Sequence, residues 1–584
     1  MNYTLIQSEN KSNSIIEQVL LNRGIPQEEI NKYIHPTKLL EIPYQELDNI
    51  KLAAKTLLQS ILLDEPIYVQ IDSDCDGYTS ASVLMNYLHR IFPSKVENLI
   101  SYGVHDKKHH GIKPEYIPEN VKLVIAPDSS SNEVNIHKEL AEKGIKVIVL
   151  DHHKAEIDET DPAIIVNNQM CNYTNKGLSG VGIVYKFCQT MDEILSTSYA
   201  KDYLDLVALG MIADMMDLRN LETRYYTYEG TKNENIRSPF IKGMMVKNEF
   251  KIKNELNPFT VSWYISPFIN AMTRSGTLEE KLLLFQALLE YEAYKLVPST
   301  KKNSSVKEEV LVDQAIRVCG NVKNRQEKEK GPALEMIYNI IKEQKVDELP
   351  VLIIQIEQSL DNNLNGLLAN HIMAEYKRPT FILTKRDKDG VITWEGSARA
   401  FPTAVIPDWR KYIDNLPCSL YGEGHPFAFG AGFTPEGLEQ FKQEIKDTFD
   451  MEDIEKVHAV DYVWNNKDDF DTTILEIAER KDLWGQEVAE PLIVLSIPVT
   501  KDRVLLQGKG TLKISIQNSK TNCIKFGFGE EKYKELTSYF DLFPDGMFTM
   551  EILGRCTKNE YYGTVSPQIE IKDYNVLKPT TWYF

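Results

Sequence analysis

The stretch "YVQIDSDCDGYTS", residues 68–80, joins an apolar run to three aspartates at alternate positions, Asp72, Asp74 and Asp76. Like charges at this spacing repel one another and raise one another's pKa values unless a cation lies among them. A short apolar run of this kind is typical of a buried strand in a parallel sheet. The stretch therefore predicts an α/β fold with a cation-binding cluster at the end of one strand.

Three further stretches have the composition of buried strands: "VKLVIAPD" (121–128), "IKVIVLD" (145–151) and "PAIIVNN" (162–168). Two of them end in an aspartate, as the first strand does. Open α/β sheets bind ligands beyond the carboxyl ends of their strands. We therefore expect Asp128 and Asp151 to meet the first acidic cluster at one edge of a largely parallel sheet.

The residues around these strand ends are typical metal ligands. "VLDHHKAE" supplies Asp151, His152 and His153, and "GMIADMMDL" adds Asp214 on a helical segment. Aspartate with imidazole suits manganese or zinc, whereas all-oxygen sites suit magnesium or calcium. Five or more carboxylates with a histidine are more ligands than one ion needs. Two ions that share an aspartate would use them all, and a two-metal site stabilises both the attacking and the leaving oxygen in phosphoryl transfer. The alternative is structural, since a lone strand-end aspartate is often a helix cap and Asp151 can orient a histidine.

Composition limits the class of protein. The chain has 584 residues, enough for three or four domains, and 42% apolar with 26% charged residues indicates a soluble globular protein. The net charge of −19 disfavours a protein that coats nucleic acid, but it allows a basic groove. Neither a secretory signal nor a long apolar run is evident, so we expect no membrane span. Seven cysteines without a CxxC pair argue against disulfides and thiolate zinc, and a cytoplasmic location is expected.

The remaining pattern divides the chain into five segments. Helical spacing dominates the first segment, the strands described above fill the second, and a long connecting helix ends the third. A second α/β unit ends in the Gly-rich "YGEGHPFAFGAGF", in which we expect "GHPFAFGAGF" to form a loop. Period-two stretches such as "LKISIQ" and "QIEIKDY" predict a C-terminal β-barrel. The predicted boundaries are 1–60, 61–225, 226–345, 346–450 and 451–584, the last including an acidic linker.

The motifs resemble a known family in order and spacing. "DSDCDG", "APDSSS", "LDHH" and "GMIADMMDL" are similar to the four motifs of the DHH phosphoesterases. The rest of the chain resembles the RecJ branch of that family, through "LSGVGIVYKF", "SPFINAMTRSG", "EGSARAF", the DHHA1-type "GHPFAFGAGF", "WGQEVAEP" and "GTLKISI". The resemblance implies a parallel-sheet DHH domain and an α/β DHHA1 domain joined by long helices, followed by an OB-type β-barrel.

The same resemblance implies an activity. It predicts a metal-dependent exonuclease that hydrolyses single-stranded DNA from 5′ to 3′ in repair, recombination or replication. It implies two divalent cations, manganese first and magnesium as the alternative. It also implies single-stranded DNA as substrate, a single-stranded-DNA-binding protein or a helicase as partner, and a monomer.

Two other functions stay open. One is a DHH phosphodiesterase that acts on short RNA or cyclic dinucleotides, which has no need of a strand-binding barrel, so activity on long strands discriminates. The other is a non-catalytic replication scaffold, which has no reason to keep a costly cluster of like charges.

The resemblance assigns roles to individual residues. The expected metal ligands are Asp72, Asp74, Asp76, Asp128, His153 and Asp214, with Asp128 as the bridge. His152 is expected beside the scissile phosphate, with Asp151 as an orienting group. The expected DNA-phosphate contacts are Arg274, Ser397, Arg399, Gly424, His425 and Lys107.

Some of these assignments have alternatives, and the sequence departs from the family in places. Arg399 could instead pair with Glu395, and Lys108 could serve instead of Lys107, because "HDKKHHG" lacks an arginine that the family commonly carries. "DSSS" replaces the common Asp-Cys-Gly but keeps the aspartate. We also expect Arg274, Ser397 and Arg399 to meet around a terminal 5′ phosphate.

Overall fold

The computed structural model describes the chain except for residues 7–11, 107–108, 302–304, 358–361, 389, 404, 455, 466–467, 509, 544–545, 562 and 578–584. Lys107 and Lys108 therefore lie outside the described residues. The chain divides into two compact units. We call Glu9–Asn324 with Arg480–Glu490 the DHH unit, and Met1–Ser8, Arg325–Glu479 and Pro491–Phe584 the second unit. In the described part of the chain, no helix has the length and apolar character needed to cross a membrane.

The described residues form strands and helices in alternation. The strands are β1 (Asn2–Leu5), β2 (Ile67–Ile71), β3 (Ile100–Val104), β4 (Leu123–Pro127), β5 (Lys146–Asp151), β6 (Ile164–Asn167), β7 (Leu296–Pro298), β8 (Glu308–Val310), β9 (Leu352–Ile356), β10 (Thr380–Lys388), β11 (Val391–Arg399), β12 (Ser419–His425), β13 (Ala428–Phe433), β14 (Val457–Val460), β15 (Tyr462–Asn465), β16 (Leu492–Thr500), β17 (Val504–Gln507), β18 (Thr511–Ser515), β19 (Asn522–Lys525), β20 (Met547–Tyr561) and β21 (Thr564–Leu577). The α-helices are α1 (Ile15–Asn22), α2 (Ile30–Ile34), α3 (Ile50–Leu62), α4 (Cys75–Ile91), α5 (Pro93–Leu99), α6 (Val134–Glu142), α7 (Gly180–Leu195), α8 (Leu204–Ala213), α9 (Leu221–Thr231), α10 (Pro239–Lys247), α11 (Glu249–Ile252), α12 (Pro258–Tyr264), α13 (Ser266–Ser275), α14 (Leu278–Leu288), α15 (Leu311–Glu343), α16 (Asn362–Tyr376), α17 (Trp409–Asp414), α18 (Pro435–Thr448), α19 (Asp471–Glu479) and α20 (Glu530–Leu542).

The DHH unit contains a parallel sheet in the order β3-β2-β4-β5-β6. Strands β2, β4, β5 and β6 are the four that the sequence predicts. The sequence did not predict β3, because this edge strand is only half-buried and has no apolar run. Since the chain runs from β2 to β3 on one side and returns to β4 on the other, the topological switch point lies between β2 and β4.

Helices cover both faces of this sheet, as in other parallel sheets. On one face α4 and α7 pack against the strands, and α8 packs on these two helices, in a core that includes Leu84, Val184 and Leu206. On the other face a smaller core joins Val124 and Leu140, which is in α6. This packing fixes the carboxyl ends of β2, β4 and β5 relative to the first turns of α4 and α7.

A segment from the C-terminal half belongs to the DHH unit. Residues Arg480–Glu490, predicted as part of the acidic linker and barrel, pack against this unit instead. The Tyr33 hydroxyl donates to the Leu483 carbonyl at 2.8 Å, and the Arg224 guanidinium donates to the Asp482 carbonyl at 2.6 Å. Arg224 is 1% exposed, so the Asp482 carbonyl accepts from a charged group that would otherwise be costly to bury.

The second unit contains a sheet in the order β12-β13-β11-β10-β9, in which β9 and β10 are parallel and the other pairs antiparallel. The Gly-rich "GHPFAFGAGF" was predicted as a loop, and this prediction was wrong. Gly424 and His425 end β12, and Ala428–Phe433 forms the paired strand β13. The glycines permit close packing, because a Cβ on Gly432 would meet the Tyr421 ring at 2.3 Å.

The C-terminal strands form a sheet in the order β15-β16-β20-β21-β19-β18-β17, which includes the period-two stretches. The first residues differ from the helical prediction for 1–60, because β1 pairs in parallel with β14. Met1 and Tyr3 pack against Val460, and apolar contacts of this kind favour a strand over a helix at this point. The remaining predicted domain boundaries stay predictions.

Candidate metal centre

The candidate site lies at the carboxyl edge of the parallel sheet, beside the switch point. Asp72 follows β2, Asp128 follows β4, and Asp151 is the last residue of β5. Asp214 is the C-cap of α8. The sheet and α8 therefore bring together acids that are far apart in sequence, as predicted.

His152 is the imidazole at the centre of this cluster. Its Nε2 atom lies 3.3 Å from Asp128 Oδ1, 3.4 Å from Asp214 Oδ2 and 3.9 Å from Asp76 Oδ2. Within the described residues, Asp128 Oδ1, His152 Nε2 and Asp214 Oδ2 are all buried without a hydrogen-bond partner.

These three atoms fit a divalent cation. Ligand atoms about 2.1 Å from one ion at roughly tetrahedral angles are themselves about 3.4 Å apart. Buried polar atoms normally have partners, and two unpartnered carboxylate oxygens at this distance from an unpartnered imidazole nitrogen are explained by an ion among them. The donor set of carboxylates with one imidazole suits manganese.

Asp76 is held in place by the first turn of α7. It accepts hydrogen bonds from Ser179 Oγ at 3.0 Å, Gly180 N at 2.7 Å and Val181 N at 3.2 Å. A carboxylate at a helix N-terminus is stabilised by the exposed N–H groups and the helix dipole. This contact orients Asp76 and keeps its charge near the unpartnered atoms.

A second group of possible ligands consists of Asp72, Asp74 and Asp128, each offering an oxygen within 4.8 Å of the others. Asp74 is the N-cap of α4 and accepts from Gly77 N at 3.0 Å. Asp72 is buried and accepts from His110 Nδ1 at 2.6 Å and from Gly111 N at 3.2 Å. Asp128 belongs to this group and also to a group with both histidines, as a bridging ligand would.

The backbone around Asp128 is specialised for this position. Its φ of +66° lies in the left-handed region, which aspartate adopts more readily than most residues. A Cβ on Gly180 would come within 2.3 Å of Asp128 Oδ1, so only glycine fits at the start of α7. Ser131, in the "DSSS" stretch, donates its N–H to Asp151 at 3.1 Å. This departure from the family motif therefore still supports the site.

Asp151 orients the second histidine. His153 Nδ1 lies 2.8 Å from Asp151 Oδ1, and the His153 side chain is about half exposed, at 53%. His152, by contrast, is 10% exposed and points into the carboxylates. His152, expected beside the phosphate, thus lies among the carboxylates, and His153, expected as a ligand, lies at the open side but still within reach of Asp128 and His152. This geometry favours the opposite roles for the two histidines, and their expected roles stay predictions.

Electrostatics agree with this arrangement. Burial lowers the pKa of His152 to about 4, whereas the hydrogen bond to Asp151 raises the pKa of His153 to about 9. Burial works to raise the pKa of Asp151, but its contacts with His153 outweigh burial and lower it. At neutral pH His152 thus has a free lone pair for a cation, and His153 carries a positive charge.

The clustered carboxylates are costly to ionise without a cation. Burial and the charge of Asp74 raise the pKa of Asp76 to about 6. Burial, followed by the charge of Asp76, raises the pKa values of Asp128 and Asp214 well above the usual range. Divalent ions would replace the protons that these groups otherwise retain.

Arg274 is the expected phosphate-binding residue that lies in the DHH unit. It occupies the last turn of α13 and is partly buried. Burial lowers the pKa of its guanidinium, and the charge of Asp74 raises it, so the two groups act on each other electrostatically. This buried cation beside a carboxylate cluster is suited to an anion that approaches the site.

The other expected phosphate-binding residues lie in the second unit. Ser397 and Arg399 are two positions apart on β11 and so project from one face of the strand. Arg399 donates to the Ala398 carbonyl at 2.7 Å, and its guanidinium lies beside Gly366, in the first turns of α16. Gly424 and His425 are exposed at the end of β12.

Several supporting residues were missed by sequence reasoning. They are Gly77, His110, Ser131, Ser179 and Gly180, each in contact with a candidate ligand or with Asp151. The unusual "HDKKHHG" marked the position of His110, but nothing in it named Asp72 as the partner. The "LSGVG" stretch carried a signal for Gly180, since glycine at the start of a helix often permits a close approach.

Comparisons with known proteins agree with the fold. The model of the DHH family, N-terminal domain, matches residues 66–211, and the RecJ OB domain model matches residues 464–573. The second match confirms the predicted OB-type domain at the C-terminus.

Individual proteins match almost the whole chain. It is 34% identical over 583 residues to the putative SPbeta prophage-derived single-strand DNA-specific exonuclease YorK of Bacillus subtilis (strain 168), covering 99% of each. It is 24% identical to the single-stranded-DNA-specific exonuclease RecJ of the same strain, covering 96% of this chain and 67% of that protein. The crystal structure of RecJ in complex with Mn²⁺ from Thermus thermophilus superposes with a TM-score of 0.69 at 19% identity, covering 97% of this chain and 76% of that one. The chain belongs to the RecJ family of DHH phosphoesterases.

Proposed function

We propose that this chain is a metal-dependent exonuclease that hydrolyses phosphodiester bonds of single-stranded DNA. One observation carries the chemistry: Asp128 Oδ1, His152 Nε2 and Asp214 Oδ2 are buried and unpartnered, and both carboxylate oxygens lie within 3.4 Å of the imidazole nitrogen. The names of the relatives, single-strand DNA-specific exonucleases, support the substrate.

The proposed ligands fall into two sets that share Asp128. Asp76, His152 and Asp214 form one set, and Asp72, Asp74 and Asp128 form the other. Asp128 Oδ1 also lies 3.3 Å from His152 Nε2, so we assign it to both sets. Manganese fits the first set best because of its imidazole, and magnesium fits the all-oxygen set. Bound divalent ions lower the pKa of water and neutralise the charge that develops on the phosphate.

The protein itself holds and orients the reacting groups. Asp151 accepts from His153 Nδ1 at 2.8 Å, which fixes the tautomer and turns the opposite ring edge toward the open side. The raised pKa of His153 makes it a cationic hydrogen-bond donor for the scissile phosphate. Arg274, whose charge interacts with Asp74, is suited to a neighbouring phosphate on the substrate strand.

The 5′ to 3′ direction and a role in DNA repair or recombination are the finer parts of this proposal. A directional exonuclease needs a pocket that rewards a terminal phosphate, which carries more charge than an internal diester. Ser397 and Arg399 on one face of β11, close to the first turns of α16, support a phosphate site in the second unit. Single-stranded DNA is the proposed substrate, and a strand-binding protein or helicase stays the predicted protein partner.

The test is degradation of single strands labelled at the 5′ or the 3′ end, with Mn²⁺, Mg²⁺ or a chelator present. We expect release of the 5′ label first, dependence on the metal and survival of blunt duplex. Equal degradation of blunt duplex and single strand would contradict the proposal. Cleavage only of dinucleotides and very short RNA would instead favour the small-substrate phosphodiesterase, despite the RecJ OB match.

A further inference from the structure

The helices α10 to α13 of the DHH unit carry an exposed surface that the metal centre does not use. Phe250 is 96% exposed and Trp263 is 63% exposed. Isolated exposed apolar residues are ordinary, but two large aromatic rings on neighbouring short helices are not. We define the aromatic–lysine surface as Lys247, Phe250, Lys251 and Trp263 of these helices, together with Lys323 of α15, which contacts Phe268 of α13.

Lysines are held among these rings by cation–π contacts. Lys251 Nζ lies 5.2 Å from the centre of the Tyr264 ring. Lys247 and Lys323 approach the Phe268 ring, at 5.0 Å and 4.4 Å from its centre. The Phe268 ring thus holds two ammonium groups and the Tyr264 ring holds a third, although like charges repel. Lys251 and Tyr264 are the sequence neighbours of Phe250 and Trp263.

The local charge is opposite to that of the whole chain. Residues 239–264 contain four lysines and two glutamates, whereas the chain carries a net charge of −19. Burial and the charge of Lys323 lower the pKa of Lys247. An anionic ligand would relieve this repulsion, and exposed aromatic rings in a lysine-rich segment are suited to the bases of a single strand.

Helix α13 connects the aromatic–lysine surface to the metal centre. Phe268 and Arg274 lie on the same helix, α13, six residues apart, which is about 9 Å along the helix axis. Helix α13 packs against α4, whose N-cap is Asp74 of the site. A strand whose end is at the metal centre would therefore need only a few nucleotides to reach the aromatic–lysine surface.

We propose that the aromatic–lysine surface binds single-stranded nucleic acid a few nucleotides from the scissile bond. Phe250 and Trp263 stack on bases, and Lys251 and Lys323 contact phosphates. Lys247, whose ammonium donates to the Ile316 carbonyl at 2.7 Å, adds positive charge to the surface. The inference rests on the proposed function, since it assigns this surface to the same substrate strand. It adds a strand-binding surface to the DHH unit itself.

The test measures strand binding by two double variants of the full chain, Phe250→Ala with Trp263→Ala and Lys251→Ala with Lys323→Ala. A chelator prevents cleavage, and the probe is a fluorescent single strand of about 20 nucleotides, longer than a typical site. Matched controls are Leu39→Ala with Leu62→Ala, which removes two other exposed apolar side chains, and Lys55→Ala.

The aromatic variant should weaken binding about 5-fold or more for each ring removed. The lysine variant should lower the slope of log affinity against log salt by about 0.7 for each phosphate that the protein no longer neutralises. With Mn²⁺ present, both should reduce the ratio of kcat/KM for long strands to that for short strands. The controls should bind as the parent does.

Unchanged affinity and an unchanged salt slope in both double variants would overturn the proposal. An acidic segment of a partner protein would then be the ligand that this surface suits. The proposed function fails separately, if the parent cleaves no single strand with any metal. Because binding is measured without cleavage, the two failures are distinguishable.

Discussion

Gly180 and Asp128 are in such close contact that a Cβ on Gly180 would lie 2.3 Å from the Asp128 carboxylate oxygen. Gly180 begins α7, whose first N–H groups hold Asp76. The start of one helix therefore positions two candidate ligands. The Gly180 N–H donates a hydrogen bond to Asp76, and the missing side chain of Gly180 leaves room for Asp128.

Substitution Gly180→Ala should displace Asp128 and reduce nuclease activity at least about 100-fold, since small displacements in a reacting geometry are costly. Alanine favours the helix, so the fold should be retained. The measurements are kcat with Mn²⁺ and far-UV circular dichroism. The matched control is Gly182→Ala on the same helix, where a Cβ meets the flexible end of Met211 at 2.6 Å. Loss of activity in both variants to the same extent would contradict a specific effect on Asp128.

Substitution Asp128→Asn should have opposite effects on stability and on activity. Burial and neighbouring carboxylates raise the pKa of Asp128, so its ionised form destabilises the metal-free chain at neutral pH. Removing the charge should therefore increase the free energy of unfolding of the metal-free protein, by about 1–3 kcal/mol. Activity should be lost, because the shared ligand is lost.

The metal dependence of Tm separates this effect from general stabilisation. The parent should gain Tm on addition of Mn²⁺, because a ligand that binds only the folded state stabilises it. The Asp128→Asn variant should gain little or nothing. Asp48→Asn, at an exposed acid in the same unit, is the control and should respond as the parent does. A full Mn²⁺ response in Asp128→Asn would exclude Asp128 as a ligand.

The two adjacent histidines should respond differently to substitution. His152→Ala removes the imidazole that lies 3.3 Å from Asp128, so it should abolish both activity and the Mn²⁺-dependent rise in Tm. His153→Ala should keep most of that rise in Tm while lowering kcat about 100-fold or more, as expected for loss of a group that acts on the phosphate. Circular dichroism should show both variants folded. The reverse pattern would restore the assignment that the sequence favoured.

The order of these histidines could not be predicted because the motif "LDHH" contains no directional information. Consecutive residues after a strand point in different directions, and the tertiary packing that brings Asp128 and Asp214 close to His152 decides which imidazole lies inside. The acids were predictable, since the ends of parallel strands meet at one edge. The contact between His110 and Asp72, 38 positions apart, depends on the path of a long loop. The hairpin at 419–433 was predictable in principle, because "FAFGAGF" alternates with period two.

The last prediction concerns how the 5′ end is selected. Arg399 and Ser397 lie on one face of β11, and the Arg399 guanidinium lies beside the first turns of α16, where backbone N–H groups favour anions. Substitution Arg399→Ala should reduce the preference for 5′-phosphorylated over 5′-hydroxyl strands about ten-fold or more, the effect of losing a charge-assisted hydrogen bond. Competition between the two strands in one reaction measures that preference. Arg399→Lys should recover only part of it, because lysine lacks the bidentate fork.

Lys385→Ala, at an exposed cation on the neighbouring strand β10, is the control and should keep the preference in full. If Arg399→Ala also keeps it, or if the parent has no such preference, the terminal phosphate is bound by other residues.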